Sequence, residues 1–146
     1  MFSREILVAA PRERVWSVVS DIDNEPEYWH GTREVLNRSR AGNVTNRTII
    51  SNFMGTRIEQ RVTLIPMESV VTEYVKGVTV GKKTVSIKPS EGGFEVKAEW
   101  DVRFTGFVRL IAPYVRGHIV RGTENALVRI RDVAEGRSAA LTGKEA

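Results

Sequence analysis

The chain has 146 residues, a formal net charge of +4, and 41% hydrophobic and 27% charged residues, and it contains no cysteine. This length allows one domain with its own core, and the missing cysteines exclude disulfides, thiolate metal sites and a cysteine nucleophile. The mild, dispersed positive charge does not indicate a DNA-binding surface. Because the sequence shows neither a secretion signal nor an apolar stretch of membrane-spanning length, we expect a cytoplasmic protein without stable membrane insertion.

The chain opens with a β-strand pattern over residues 4–9, and two short helical segments follow. Pro11 suits the first turn of a helix, because the backbone there needs no N–H donor. An apolar stripe that includes Trp16 then predicts a short helix. Further along, Asn24 is a suitable N-cap for a second short helix, with Pro26 in its first turn.

After these helices the pattern becomes that of an antiparallel sheet. Breaks that contain glycine, proline or asparagine separate six further strand segments. The segments are 32–40, 44–54, 57–65, 69–76, 80–88 and 94–104. In the last segment apolar residues such as Trp100 and Phe104 alternate with charged ones, which predicts a sheet with one buried and one solvated face.

Polar residues within the strands test this two-faced interpretation. The basic residues mostly alternate with apolar ones, so we expect a solvated sheet face to carry them. They are Arg38, Arg40, Arg47, Arg57, Arg61, Lys82 and Lys83. Gln60 is an exception, because it falls on an inward-facing position. In the 69–76 segment the register decides whether Glu73 or Tyr74 faces inward, and we expect Tyr74 to do so and Glu73 to be solvated.

From Phe107 the apolar residues return to a helical period and predict one long amphipathic helix. Pro113 is expected to kink this helix or to begin its regular part. Gly117 and Gly122 lie near the apolar stripe, where each weakens the helix relative to alanine. They indicate close packing of the helix on the sheet or, alternatively, space for a ligand.

The residues from the first strand to the second short helix form a distinctive series. They read Ile6-Leu7-Val8-Ala9-Ala10-Pro11-Arg12-Glu13-Arg14-Val15-Trp16, then Ser20-Asp21-Ile22, then Tyr28-Trp29. This series resembles the opening of START-like proteins, also called the SRPBCC or helix-grip superfamily. That superfamily includes polyketide cyclase/dehydrase and lipid-transport proteins, coenzyme Q-binding proteins and the birch-pollen-allergen group.

The resemblance implies an α+β helix-grip fold, in which a curved antiparallel sheet of about seven strands wraps around a long C-terminal helix, with two short helices after the first strand. We expect residues 1–136 to form this single ligand-binding domain and residues 137–146 to be a disordered tail. Members commonly bind lipids, sterols, isoprenoid quinones, polyketides or plant hormones between sheet and helix. Our first hypothesis is therefore a non-enzymatic carrier or sensor of a hydrophobic small molecule, acting as a monomer or weak homodimer.

Candidate ligand-binding residues come from separate elements that would converge on the gap between sheet and helix. They are Trp29, Phe53, Gln60, Tyr74, Thr84, Trp100, Phe104, Ile111, Tyr114, Val115 and His118. Among them Gln60, Tyr74, Thr84 and His118 would orient the ligand through hydrogen bonds. Trp16, by contrast, is expected to fill the core.

The sequence predicts neither a metal centre nor a cofactor. His30 and His118 lie far apart and lack the spacing of metal ligands. Asp21 and Asp23 lack the glycine and the further oxygens of a calcium loop. The stretch Gly81-Lys82-Lys83-Thr84 lacks the glycine spacing of a phosphate loop, and no helix follows it.

Two other functions remain open on the sequence. The first is a polyketide cyclase or aromatase-like enzyme, which needs a general acid or base inside the cavity. Its candidates are His118, Glu73, Tyr74 and Arg57. The second is an interaction module that binds protein or RNA through a basic patch with Arg109, Arg116 and Arg121. Because few titratable residues face inward, the carrier is preferred over the enzyme.

Overall fold

The computed structural model describes residues 1–136, with seven strands and three α-helices in that range. The strands are β1 (Phe2–Val8), β2 (Thr32–Ala41), β3 (Val44–Ser51), β4 (Arg57–Ile65), β5 (Ser69–Lys76), β6 (Thr79–Ser90) and β7 (Gly93–Phe104). The helices are α1 (Arg12–Val19), α2 (Glu25–Tyr28) and α3 (Ala112–Ala134), with 3-10 turns at Ile22–Asn24 and Gly106–Ile111. The predicted tail, 137–146, lies outside the described residues.

All seven strands belong to one antiparallel sheet in the order β1-β7-β6-β5-β4-β3-β2. Consecutive strands from β2 to β7 pair as neighbours, and β1 completes the sheet beside β7. In β7, Val96, Ala98 and Trp100 are buried and the alternate residues Glu99 and Asp101 are exposed. This alternation buries one face of the sheet, and the predicted α+β helix-grip arrangement is confirmed.

The register of β4 and β5 places the polar residues as the alternation predicted. Tyr74 pairs with Gln60, and both side chains are buried on the inner face. Glu73 is exposed beside Arg61, with 3.9 Å between the carboxylate and the guanidinium. The prediction that Tyr74 rather than Glu73 faces inward is therefore confirmed.

The long C-terminal helix begins later than its apolar pattern predicts. The stretch Gly106–Ile111 forms a 3-10 turn, and α3 starts at Ala112 with Pro113 in its first turn. Proline cannot donate a backbone hydrogen bond to the preceding turn. The α-helical hydrogen bonding therefore starts at this turn and does not continue from the residues before it. As a consequence Ile111, expected on the apolar stripe, is 38% exposed, and Leu110 is 86% exposed.

The two halves of α3 pack differently against the sheet. Residues in its C-terminal half, including Leu127, Ile130 and Ala134, belong to a dense core with Val8 and Val96. In the N-terminal half the buried residues are Val115 and Thr123. The C-terminal half of α3 therefore packs directly on the sheet, and the N-terminal half is separated from it. None of the helices in residues 1–136 has the length and apolar content that crossing a bilayer requires.

Gly81 in β6 allows strands β6 and β7 to approach each other closely near the N-terminal half of α3. Gly81 adopts a φ of +130°, and a Cβ atom there would lie 2.2 Å from the carbonyl oxygen of Asp101. No side chain fits at that distance, and the conformation itself is one that glycine tolerates. Two residues further along, the strand places Lys83 on the inner face of the sheet.

Candidate functional site

The separation of α3 from the sheet leaves a cavity of about 490 Å³. This volume falls within the range of about 300–1,000 Å³ that is typical of small-molecule sites. Its walls come from residues 29–32, the β3–β4 turn, the inner face of the sheet and the N-terminal half of α3. Most of the wall is apolar, with contributions from Ile49, Phe53, Ile58, Val108, Val115 and Ile119.

The helix presents one stripe of residues to this space. Val115, Ile119 and Gly122 recur at intervals of three or four residues, so they lie on the same side of α3. At Gly122 an added Cβ atom would have no neighbour within 4 Å. The sequence left close packing and ligand space as alternatives at Gly122, and the structure places open space there.

Three aromatic side chains lie together in the cavity wall. The ring centroids of Trp29 and Trp100 are 6.3 Å apart in an edge-to-face arrangement, and those of Tyr74 and Trp100 are 5.8 Å apart. The indole N–H of Trp100 is buried and finds no acceptor within the described structure. A ligand oxygen that accepted this hydrogen bond would satisfy a buried donor and gain binding free energy.

Lys83 is also in the cavity wall, because Lys83, Val85 and Ile87 share the inner face of β6. The residue is 4% exposed. Its Nζ lies 3.8 Å from the centroid of the Trp29 ring and 5.1 Å from that of Trp100. Attraction to the ring faces offsets part of the lost hydration. Burial lowers the pKa of the Lys83 ammonium, although the nearby Glu25 carboxylate acts in the opposite direction.

A second buried network links α2 to strands β2, β3 and β4. The Arg47 guanidinium donates to the Glu25 carboxylate at 2.5 Å, to the Gln60 side-chain oxygen at 2.9 Å and to the Ile22 carbonyl at 2.9 Å. The Thr32 hydroxyl donates to the other carboxylate oxygen of Glu25 at 2.5 Å. These bonds hold both ends of the segment from Glu25 to Thr32, which carries Trp29 into the cavity wall.

The ionisation of Glu25 depends on this network. Burial alone raises the pKa of the carboxyl, but the charges of Arg47 and Lys83 and the hydrogen bonds from Thr32 and Arg47 outweigh it. The net effect is a pKa below the ordinary value of 4.5. In the folded state Glu25 therefore stays ionised at pH values at which the same carboxyl is already protonated in the unfolded chain.

Acidification is expected to remove the stability that ionised Glu25 contributes. Since the pKa is lowered on folding, this contribution is complete above the unfolded value of 4.5 and is lost as the pH falls through the folded value. Urea unfolding of the natural chain and of Glu25→Gln, measured from neutral to acidic pH, checks this. The stability difference between the two should be largest at neutral pH and should shrink under acid. A difference independent of pH would contradict the assignment.

The remaining ionisable groups of the cavity lie at exposed positions. His118 and Arg121 come from α3, and His30 follows Trp29. The His118 Nε2 atom is 3.0 Å from the Tyr114 hydroxyl, which lies one turn earlier on the helix. No aspartate or glutamate is among the lining residues in the described part of the chain. Within residues 1–136, no three histidine or acidic side chains are grouped so as to hold a metal ion.

The structure brings some of the predicted ligand-binding residues together and leaves others outside. The cavity wall contains Trp29, Phe53, Tyr74, Trp100, Val115 and His118. Gln60 instead accepts a hydrogen bond from Arg47, and Thr84 lies on the opposite face of β6 from Lys83. Phe104, Ile111 and Tyr114 lie outside the lining, because β7 ends at Phe104 and the 3-10 turn carries Ile111 toward solvent.

The expectation that Arg47 and Lys83 are solvated is wrong. Both side chains are buried, and Arg47 is the largest of the fully enclosed ones. The sequence carried a signal for this, because Lys83 has the same strand parity as the apolar Val85 and Ile87. No local sequence pattern distinguishes Glu25 as a buried residue, since its partner Arg47 is on a distant strand.

Comparison with known proteins supports the architecture. A family model described as polyketide cyclase/dehydrase and lipid transport matches residues 1–135. The search of curated proteins finds no match.

Several solved structures have a similar fold. The di-domain ARO/CYC StfQ of the steffimycin biosynthetic pathway has a TM-score of 0.74 and 16% identity, with 92% of this chain and 50% of that chain covered. The Zhui aromatase/cyclase from Streptomyces sp. R1128 has a TM-score of 0.73 and 14% identity, with 92% of each chain covered. The Polyketide_cyc-like protein Cgl2372 from Corynebacterium glutamicum has a TM-score of 0.57 and 22% identity, with 92% and 90% covered. This chain therefore spans half the length of the di-domain structures, and at these identities the likeness shows the fold alone.

Proposed function

The chain belongs to the polyketide cyclase/dehydrase and lipid transport family, and from that premise we propose that it binds a hydrophobic small molecule between its sheet and α3, as a carrier or sensor. The observation that carries the proposal is the cavity of about 490 Å³ under the N-terminal half of the long helix. A largely apolar space with a few polar groups is the usual form of such a site.

Binding would come mainly from burial of the ligand's apolar surface. Such burial contributes roughly 25 cal/mol for each Å² removed from water, before the cost of ordering the ligand. Ile58, Val115 and Ile119 supply apolar wall, and the Trp100 indole N–H supplies a donor that can orient a ligand oxygen.

An enzyme of the aromatase/cyclase type is the second candidate. Two titratable side chains, Tyr74 and Lys83, lie buried in the cavity wall, and two of the solved structures with this fold are named aromatase/cyclases. Burial raises the pKa of Tyr74, so the phenol stays protonated and cannot serve as a general base, although it can donate a hydrogen bond to a substrate oxygen. Of the other candidates, His118 lines the cavity at an exposed position, whereas Glu73 and Arg57 are exposed on the outer face of the sheet. Cyclisation of a poly-β-ketone substrate by the purified protein would favour this function over the carrier.

Titration with N-phenyl-1-naphthylamine, a neutral apolar fluorophore, tests the binding function. We expect saturable binding with one site, a gain in probe fluorescence and quenching of tryptophan emission, because Trp29 and Trp100 lie in the cavity wall. Native mass spectrometry of freshly purified protein should in addition show a discrete apolar adduct that solvent extraction releases. Protein that carries no adduct and gives no saturable probe signal would contradict the proposal.

A further inference from the structure

The buried charges of the described chain do not balance. Among residues 1–136 the buried charged side chains are Glu25, Arg47 and Lys83, which are two cations and one anion. The Glu25 carboxylate accepts from Arg47 with one oxygen and from Thr32 with the other. Of the two buried basic groups, the Lys83 amine is therefore the one left without a bonded acidic partner.

The surroundings of the Lys83 ammonium compensate for only part of the hydration that it loses on burial. Within residues 1–136 it has the ring faces of Trp29 and Trp100 beside it and neither a hydrogen bond nor an ion pair. An ammonium group carries three N–H donors, and burying a charge without hydrogen-bonded compensation is unfavourable. Because Lys83 lines the cavity, these donors are open to a ligand that enters it.

The charge around the cavity has one sign. Lys83 and Arg121 are the lysine and arginine that line it, and the described lining residues include neither aspartate nor glutamate. Glu25 lies on the far side of Lys83, where both border a separate space of about 20 Å³. Because Lys83 is only 4% exposed, its ammonium attracts a negative group more strongly than it would in bulk water.

We propose that Lys83 selects an acidic amphiphile, whose carboxylate accepts hydrogen bonds from the Lys83 ammonium while its apolar body lies along Ile58, Val115 and Ile119. The buried indole N–H of Trp100 is a second donor without an acceptor in the described structure, and its ring centroid is 5.1 Å from the Lys83 Nζ. The inference rests on the proposed binding function and specifies the chemical class of its ligand.

Displacement of bound N-phenyl-1-naphthylamine by dodecanoate and by 1-dodecanol at neutral pH tests this inference, because the two competitors differ in the charged head group. We expect the natural chain to bind the acid about tenfold or more tighter than the alcohol, as a charge-assisted hydrogen bond implies. In Lys83→Met the affinity for dodecanoate should fall by about the same factor, while that for dodecanol stays within about twofold.

Two variants make the result specific. Lys82→Met removes a charge from the neighbouring exposed position on the outer face of β6 and should leave the preference for the acid unchanged. Lys83→Gln keeps a polar side chain and should lose the preference as Lys83→Met does, with circular dichroism and urea midpoints showing that both are folded. Equal binding of acid and alcohol by the natural chain, or an equal loss of both in Lys83→Met, would overturn the inference while leaving the binding function intact. A natural chain that binds no probe would overturn both.

Discussion

Replacing Arg47 with methionine is expected to lower the free energy of unfolding by about 3–5 kcal/mol, the range found when one partner of a buried ion pair is removed. Methionine fills a similar volume but leaves the Glu25 carboxylate buried without its main cation. The Gln60 oxygen and the Ile22 carbonyl lose their donor at the same time. Urea unfolding at neutral pH, followed by circular dichroism, measures the change.

Two comparison variants separate the loss of a pair from the loss of a charge. Arg61→Met removes an arginine from the adjacent strand whose contact with Glu73 is exposed, so we expect less than about 1 kcal/mol of destabilisation. In Glu25→Gln/Arg47→Met both ionised partners are absent, and the double variant should be more stable than the sum of the single effects predicts. If Arg47→Met cost no more than Arg61→Met, the buried network would not stabilise the fold.

Replacing Gly122 with phenylalanine is expected to lower the affinity for N-phenyl-1-naphthylamine by about a hundredfold or more, because the new ring occupies the space that the probe needs. The helix should tolerate the change, since glycine is the less favourable residue in a helix interior by up to about 1 kcal/mol. A Cβ atom at Gly122 meets nothing within 4 Å. The measurement is the same fluorescence titration, accompanied by urea unfolding of the variant.

Gly122→Ala is the matched control for this experiment. It adds one methyl group to open space, so it should raise the stability by about 0.5–1 kcal/mol and leave the probe affinity within about threefold. Gly117→Ala is a second control on the same helix, at a position that is not part of the cavity lining. A folded Gly122→Phe protein that still bound the probe as the natural chain does would show that the probe binds elsewhere.

Local residue patterns predict the secondary-structure elements and the direction in which most strand side chains point. Alternation with a period of two predicted the strands from 32 to 104 and placed Gln60 and Trp100 on the inner face, as the structure confirms. The choice between Tyr74 and Glu73 depended on the strand register, which the structure fixes with Tyr74 inward. The apolar stripe after Phe107 predicts a long helix, and Pro113 predicts either a kink in it or the start of its regular part. The structure shows the second, with α-helical bonding beginning where the missing N–H of Pro113 falls in the first turn. These features are local, so a single stretch of chain is enough to specify them.

The charges of the site were decided only by the tertiary structure. Glu25 and Arg47 are buried because α2 packs against β2, the neighbour of β3, which brings each within reach of the other, although they are 22 residues apart in the chain. Lys83 is buried because Trp29 lies over its ammonium, and Trp29 comes from the segment whose two ends, Glu25 and Thr32, are joined by a buried hydrogen bond. Burial of a charge is tolerated when partners from distant parts of the chain compensate for the lost hydration, and no local period records which partners those will be.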